Sequence, residues 1–200
     1  MDANIYSPPK ANLNIIDLPD IDTQTEHQND YYVVASKKFF ILFFSTFGFY
    51  QIYWFYKNWQ LYKARTNEKI WPVMRAIFSI FFIHSLFRNV DNSISASRTE
   101  FEWNSNSLAT TLVLLKVLEN LMDKLSSKNL GSPYTDIMTL VIVPIIGWKL
   151  HAAQQAINIA CNDPDGASNQ TFSRANYIWI GIALLFWVLV IVGLFASTTN

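Results

Sequence analysis

The chain has 200 residues, 51% of them hydrophobic and 15% charged, with 15 basic residues balancing 15 acidic ones. Average chains carry about 25% charged residues, so this composition argues against an ordinary soluble domain and for residence in a membrane. The zero net charge supplies no global field to attract nucleic acid, and Cys161, the single cysteine, excludes an intrachain disulfide and a cysteine-based metal site.

Residues 1–36 carry Asp2, Asp17, Asp20, Asp22, Glu26 and Asp30 against Lys10, with Pro8, Pro9 and Pro19 and little apolar periodicity. This reads as a flexible, disordered acidic tail. It lacks a basic start followed by an apolar stretch and so does not read as a signal peptide; the hydrophobic segment behind Lys37 and Lys38 is expected to stay as an uncleaved anchor. Residues 37–200 read as one helical transmembrane domain, an all-α integral membrane bundle of four to five hydrophobic segments.

Segment one runs from Phe39 to Tyr56, segment two from Val73 to Phe87, segment three from Leu108 to Met122, and segment four from Ile137 to Trp148. Segment five, Tyr177–Ala196, is twenty residues without a charge. At about 1.5 Å per residue it can cross a hydrocarbon core of roughly 30 Å. Only the first and last segments have spanning length by themselves; the shorter ones fit buried, re-entrant or interfacial helices. Trp71-Pro72 marks the start of a helix, because proline in a first helical turn costs no hydrogen bond. In segment three Leu108, Leu112, Leu115, Leu118, Met122 and Leu125 recur at helical spacing, with Lys116, Glu119, Asn120, Asp123 and Lys124 on the other side. Pro144 and Gly147 predict a kink in segment four, ahead of the amphipathic run KLHAAQQAINIA. Asp163-Pro164-Asp165-Gly166 reads as a turn, and Ser173 or Asn176 as the cap of the last helix, where Gly181 and Gly193 share a face suited to close packing.

Lys57, Lys63, Arg65, Lys69 and Arg75 lie between segments one and two, and the positive-inside rule places that loop in the cytoplasm. Lys37 and Lys38 put positive charge on the other flank of segment one as well. Either the tail lies outside despite these lysines, or segment one is a broken, re-entrant hairpin that reverses at Gly48, where positive φ is free of strain. The latter, with a cytoplasmic tail, is the preferred reading. Tyr50, Tyr53, Trp54, Tyr56, Trp59 and Tyr62 combine apolar bodies with polar tips, the residue types that gather at lipid headgroups. Phe55, Trp59 and Tyr62 form one stripe, Lys57 lies opposite, and Lys63 and Arg65 flank it. A helix of this kind leaves the bilayer along its surface, rings in the interface and cations toward lipid phosphates.

The run KKFFILFFSTFGFYQIYWFYKNWQLYKAR, followed by IWPVMRAIFSIFFIHSLFRNV, resembles a group of small bacterial inner-membrane proteins that share the pattern FG-x-Y-x-x-YWFYKNW and carry a domain of unknown function. Ile5–Ala11, Gln155–Asn158, Phe172-Ser173 and Asn176 extend the likeness over most of the chain. The resemblance implies a multi-pass protein of the bacterial inner membrane and brings no catalytic or ligand residue with it.

His27, His84 and His151 show no metal-ligand spacing, and no P-loop, dinucleotide fingerprint or serine elbow occurs. No catalytic residue, metal site or cofactor is expected. His84, Lys116 and Glu119 are candidate intramembrane polar residues; an interhelical hydrogen bond for His84, and water or headgroups for the other two, are the plainer explanations. Asp136 reads as part of the Ser132-Pro133 turn. The expected partners are the lipid bilayer and a membrane or cytoplasmic protein, and nucleic acid is not among them. A scaffold or accessory envelope component is the leading expectation, and a small transporter or permease component the alternative.

Overall fold

The computed structural model describes residues 30–97 and 101–198. Among them the chain is all-helical: α1 (Ser36–Ser45), α2 (Tyr50–Thr66), α3 (Pro72–Ile77), α4 (Ser79–Ala96), α5 (Ser105–Ser126), α6 (Tyr134–Ala160) and α7 (Arg174–Thr198), with a 3-10 turn at Ala167–Asn169. The signals read from the sequence act where expected at several ends. Pro72 stands in the first turn of α3, Asp163–Gly166 closes a turn, with Gly166 N–H donating to the Asp163 carbonyl at 2.9 Å, and Ser173 and Asn176 cap α7 reciprocally, each accepting from the other's backbone N–H.

Segment lengths come out differently. Segment one is broken into α1 and α2, and segment two into α3 and α4 at Phe78. Segment four lies inside a helix of 27 residues that continues through Pro144 to Ala160. Among the described residues α6 is the helix long and apolar enough, by length and composition, to cross a membrane, and Arg174–Leu189 of α7 forms a shorter apolar stretch. The amphipathic run extends α6 because its polar side chains, Gln154 and Asn158, are buried against the chain that precedes α1.

That chain fixes the architecture. Tyr31, Val33 and Val34 lie outside any helix, buried and threaded between helices, so residues 31–34 are packed, while residues 1–29 of the expected acidic tail lie outside the described residues. A non-helical backbone inside a core has no ladder to satisfy its polar groups, and each unpaired one costs about 1–3 kcal/mol. Amide side chains take the place of a neighbouring strand. Asn58 accepts from Tyr32 N–H at 3.0 Å, and Gln154 donates to the Tyr32 carbonyl at 3.0 Å. Asn169 donates to the Val33 carbonyl at 2.7 Å. Asn158 accepts from Val34 N–H at 3.2 Å and donates to its carbonyl at 3.0 Å. Trp54 Nε1–H in turn donates to Gln154, which holds the amide in its working orientation.

Packing around this strand requires small residues at two places. A Cβ on Gly166 would stand 2.5 Å from Ala35 N, and its φ of +68° is a second reason for glycine there. A Cβ on Gly147 would meet the Phe43 ring at 2.6 Å, so its absence lets α6 press against α1. Replacing Asn158 by leucine leaves both polar groups of Val34 buried without partners. Detergent-solubilised protein should lose roughly 2–5 kcal/mol of unfolding free energy, read from the denaturation midpoint, and an unchanged midpoint would refute the clamp.

Candidate functional site at the aromatic hairpin

Helix α1 ends in a Schellman turn: Gly48 N–H donates to the Phe43 carbonyl at 2.8 Å and Phe47 N–H to the Phe44 carbonyl at 3.3 Å. The reversal falls where the sequence places it, but the left-handed C′ position is held by Phe47, φ +52°, with Gly48 following at +81°. At the ends of α2, α5 and α6 the same conformation falls to Asn67, Asn129 and Asn162, a residue type that tolerates it. Phenylalanine does so at a cost, offset here by its ring stacking on Trp187 with centroids 3.7 Å apart. Thr46 joins the two helices, its hydroxyl donating to the Leu42 carbonyl at 2.7 Å and accepting from Tyr50 N–H at 3.0 Å.

Helix α2 then runs back along α1, and the two open ends of the hairpin lie together. Tyr31 stacks on Tyr62 with centroids 6.4 Å apart, and Asp30 pairs with Arg65 at 2.8 Å. The lysines flanking segment one on both sides are therefore at one end of the molecule.

The aromatic residues expected at a lipid interface divide by helix face. Trp54 and Trp59 are wholly enclosed, and Tyr50 and Tyr62 are buried too. Tyr53 is 44% exposed, Tyr56 and Lys57 are half-buried, and Lys63 and Arg65 are exposed. The stripe of Phe55, Trp59 and Tyr62 faces protein: Arg75 lies 4.3 Å from the Trp59 ring centroid and 5.1 Å from that of Phe82. Its guanidinium covers aromatic faces. Helix α2 packs against α1, α3 and α4, and Trp54 also reaches Gln154 on α6, which explains why its large rings point inward. Lys57 donates to Gln60 at 3.0 Å.

The candidate polar residues separate into two places. His84 shares a hydrogen bond with Thr110 at 3.1 Å across α4 and α5, the interhelical role anticipated for it. Lys116, read as facing water or headgroups, is instead buried at 9% exposure, its ammonium donating to Gln51 beside the hairpin tip. Glu119 stands one turn on and is half-buried. Periodicity puts Lys116 on the polar side of α5, but there its ammonium meets the Gln51 side chain of α2, which only the tertiary arrangement reveals. Asp136 accepts from Ser132 at 2.7 Å and from Ser126, tying the α5–α6 loop. Nothing lies within 4 Å of a Cβ on Gly181, so its face makes no close helix contact. His27 lies outside the described residues. Among the described residues no three His, Cys, Asp or Glu side chains cluster closely enough to hold a metal ion.

The clamp residues Asn58, Gln154, Asn158 and Asn169 are not singled out as functional by the sequence; their only signal is the pair of amides at i and i+4, Gln154 and Asn158. No family model, curated protein or solved structure matches the chain.

Removing one partner from the Lys116–Gln51 pair should reveal its coupling. Gln51→Leu is expected to cost about 1.5–3 kcal/mol, the range for a hydrogen bond to a charged group, and the double variant with Lys116→Met should recover part of it. Additive losses in that double-mutant cycle would mean the pair is not coupled.

At the open end of the hairpin, burial pushes the Tyr31 phenol from 10.0 up to about 12 and the Cys161 thiol from 9.0 up to about 11. Both are acids held neutral by the fold. Their stabilisation is complete below pH 9, falls as the unfolded thiol and then the unfolded phenol ionise, and is gone above about 11 and 12 respectively. Thermal midpoints should therefore drop from pH 9 upward, less steeply above pH 10 in Tyr31→Phe. Parallel curves for the two proteins would contradict this.

Proposed function

We propose that this chain is a multi-pass protein of a bacterial inner membrane that acts by contact with other proteins, as a scaffold, accessory subunit or envelope component, and not by catalysis. The observation that carries the membrane reading is the exposed apolar surface. Leu114, Val117 and Leu121 on α5, Leu140 and Val141 on α6, and Ile178, Leu184 and Leu185 on α7 all stand outside the core. Soluble monomers rarely expose apolar patches of this extent, and a bilayer covers them without penalty. The likeness of FGFYQIYWFYKNW to small bacterial inner-membrane proteins supports the bacterial location.

In this reading α5, α6 and α7 cross the bilayer and the α1–α2 hairpin enters it half way. Phe47 at the hairpin tip stacks on Trp187, about 15 Å along α7 from Tyr177, against a hydrocarbon core of roughly 30 Å. Lys37, Lys63, Arg65 and Lys69 gather at the open end of the hairpin, which makes that end, and the acidic tail leaving it at Asp30, cytoplasmic. The exposed end of α2 and the tail together form the contact surface for a protein partner. Interaction is favoured over catalysis because the buried amides Asn58, Gln154 and Asn158 are occupied by the backbone of residues 32–34. The neutral charge supplies no basic groove for nucleic acid.

One observation favours a second reading, a small transporter or permease component: the buried ammonium of Lys116 at the hairpin tip, since intramembrane ionisable groups mark polar pathways. His84 would take no part, lying on the α4–α5 side against Thr110. Proteoliposome flux that disappears in Lys116→Met and Glu119→Gln would establish that reading over the first.

Single cysteines at Ile5, Asn67, Lys128, Ser168 and Thr199 in a Cys161→Ser background, probed with an impermeant maleimide on intact cells, test the topology. Lys128 and Thr199 positions should label, and the other three should be protected. Labelling at Ile5 or Asn67 from outside would overturn the re-entrant hairpin. Removal of residues 1–29 should release a copurifying partner while the helical domain keeps its melting midpoint.

A further inference from the structure

Among the described helices α7 packs only against α1. It stands away from α2 and α3, and the gap is a cleft of about 820 Å³, within the range of small-molecule sites. Val73, Ala76 and Ile77 of α3 form one wall; Trp179, Ile182 and Ala183 of α7 form the other.

The cleft has a polar end and an apolar end. Phe47, Phe49 and Phe186 close it at the hairpin tip. Ser173 and Asn176 line the opposite end, at the start of α7, where Lys38 donates to the Thr171 carbonyl at 2.7 Å. Tyr53 and Tyr56 lie toward that same end, Tyr53 packing edge-on against Tyr32 at 5.7 Å. Along the lining sits Tyr50, 6% exposed, its hydroxyl enclosed beside the Tyr32 phenol. Between the lining residues Ser173 and Ala175, Arg174 is exposed in the first turn of α7, at the positive end of the helix dipole.

We propose that this cleft holds one anionic glycerophospholipid, its acyl chain between α7 and the α2–α3 wall and its phosphate against Arg174 and the start of α7. The proposal rests on the membrane reading above. An amphiphile matches the gradient from hydrogen-bonding mouth to aromatic floor, which a second apolar helix laid in the cleft would not. Lipid also joins α7 to a bundle that the chain itself touches along a single helix.

The test is native mass spectrometry of protein released from nanodiscs of phosphatidylcholine containing a minor fraction of phosphatidylglycerol. Wild type should retain one phosphatidylglycerol per chain, above its share of the mixture. Arg174→Gln, at an exposed position, should lose the preference for the anionic lipid. Ile77→Trp adds bulk to one wall at a residue already 59% exposed, so folding is spared, and it should reduce retention at least several-fold. Retention in proportion to the mixture, equal retention in Ile77→Trp, or a dimer that Ile77→Trp converts to monomer would overturn the proposal, the last in favour of a second copy. Loss of the lipid with the cysteine-labelling pattern intact rejects the cleft alone, whereas a labelling pattern without crossings rejects the membrane reading.

Discussion

Residues 31–34 are a non-helical backbone buried among helices, and the rest of the structure depends on how their peptide groups are satisfied. A carboxylate could only accept, and a hydroxyl would have to donate and accept through one atom. An amide presents donor and acceptor on one planar group, so Asn158 serves both the N–H and the carbonyl of Val34, much as a neighbouring strand would. Because the amides come from α2, α6 and the 3-10 turn, the same short stretch of backbone fixes three parts of the chain relative to one another. Gly166 completes the arrangement by lying flat against the Val34–Ala35 peptide.

The hairpin follows from that anchoring. With α1 starting beside the clamp and α2 returning to it through Asn58, the reversal at residues 46–49 has to be tight, and the chain meets this with a Schellman turn, the double role of Thr46 and a left-handed Phe47. The unfavourable φ at Phe47 and its stacking on Trp187 belong together. The conformation that a glycine would adopt freely is given to an aromatic residue because its ring is what meets α7. Hairpin depth, the polarity gradient of the neighbouring cleft and the position of α7 are thus consequences of one turn.

Charge is distributed to match. The exposed cations near the hairpin stand at its open end, while the tip carries aromatic rings and the buried ammonium of Lys116, held by Gln51. Arg75 belongs to neither group; its charge lies over the Trp59 and Phe82 faces, where the guanidinium is more easily desolvated than an ammonium would be. In the membrane reading proposed above, this separation would place lipid along the length of the protein and partners at one end.

The sequence by itself determined the helical class, the reversal near Gly48, the start of α3 at Pro72, the leucine face of α5 and the cap at Ser173, because each depends on backbone stereochemistry or on periodicity within one segment. It also determined the apolar character of the last segment, a matter of composition alone. Only the tertiary structure decided that Trp54 and Trp59 face protein, that Lys116 is buried while His84 bonds to Thr110, and that Tyr31 to Val34 belong to the core. Each of these depends on which helix lies opposite, and a local pattern records the face a residue occupies without recording what covers that face. A tyrosine-tryptophan run has the same sequence whether its rings meet headgroups or a glutamine a hundred residues away, and the buried Gln154 of α6 decides the matter for Trp54 here.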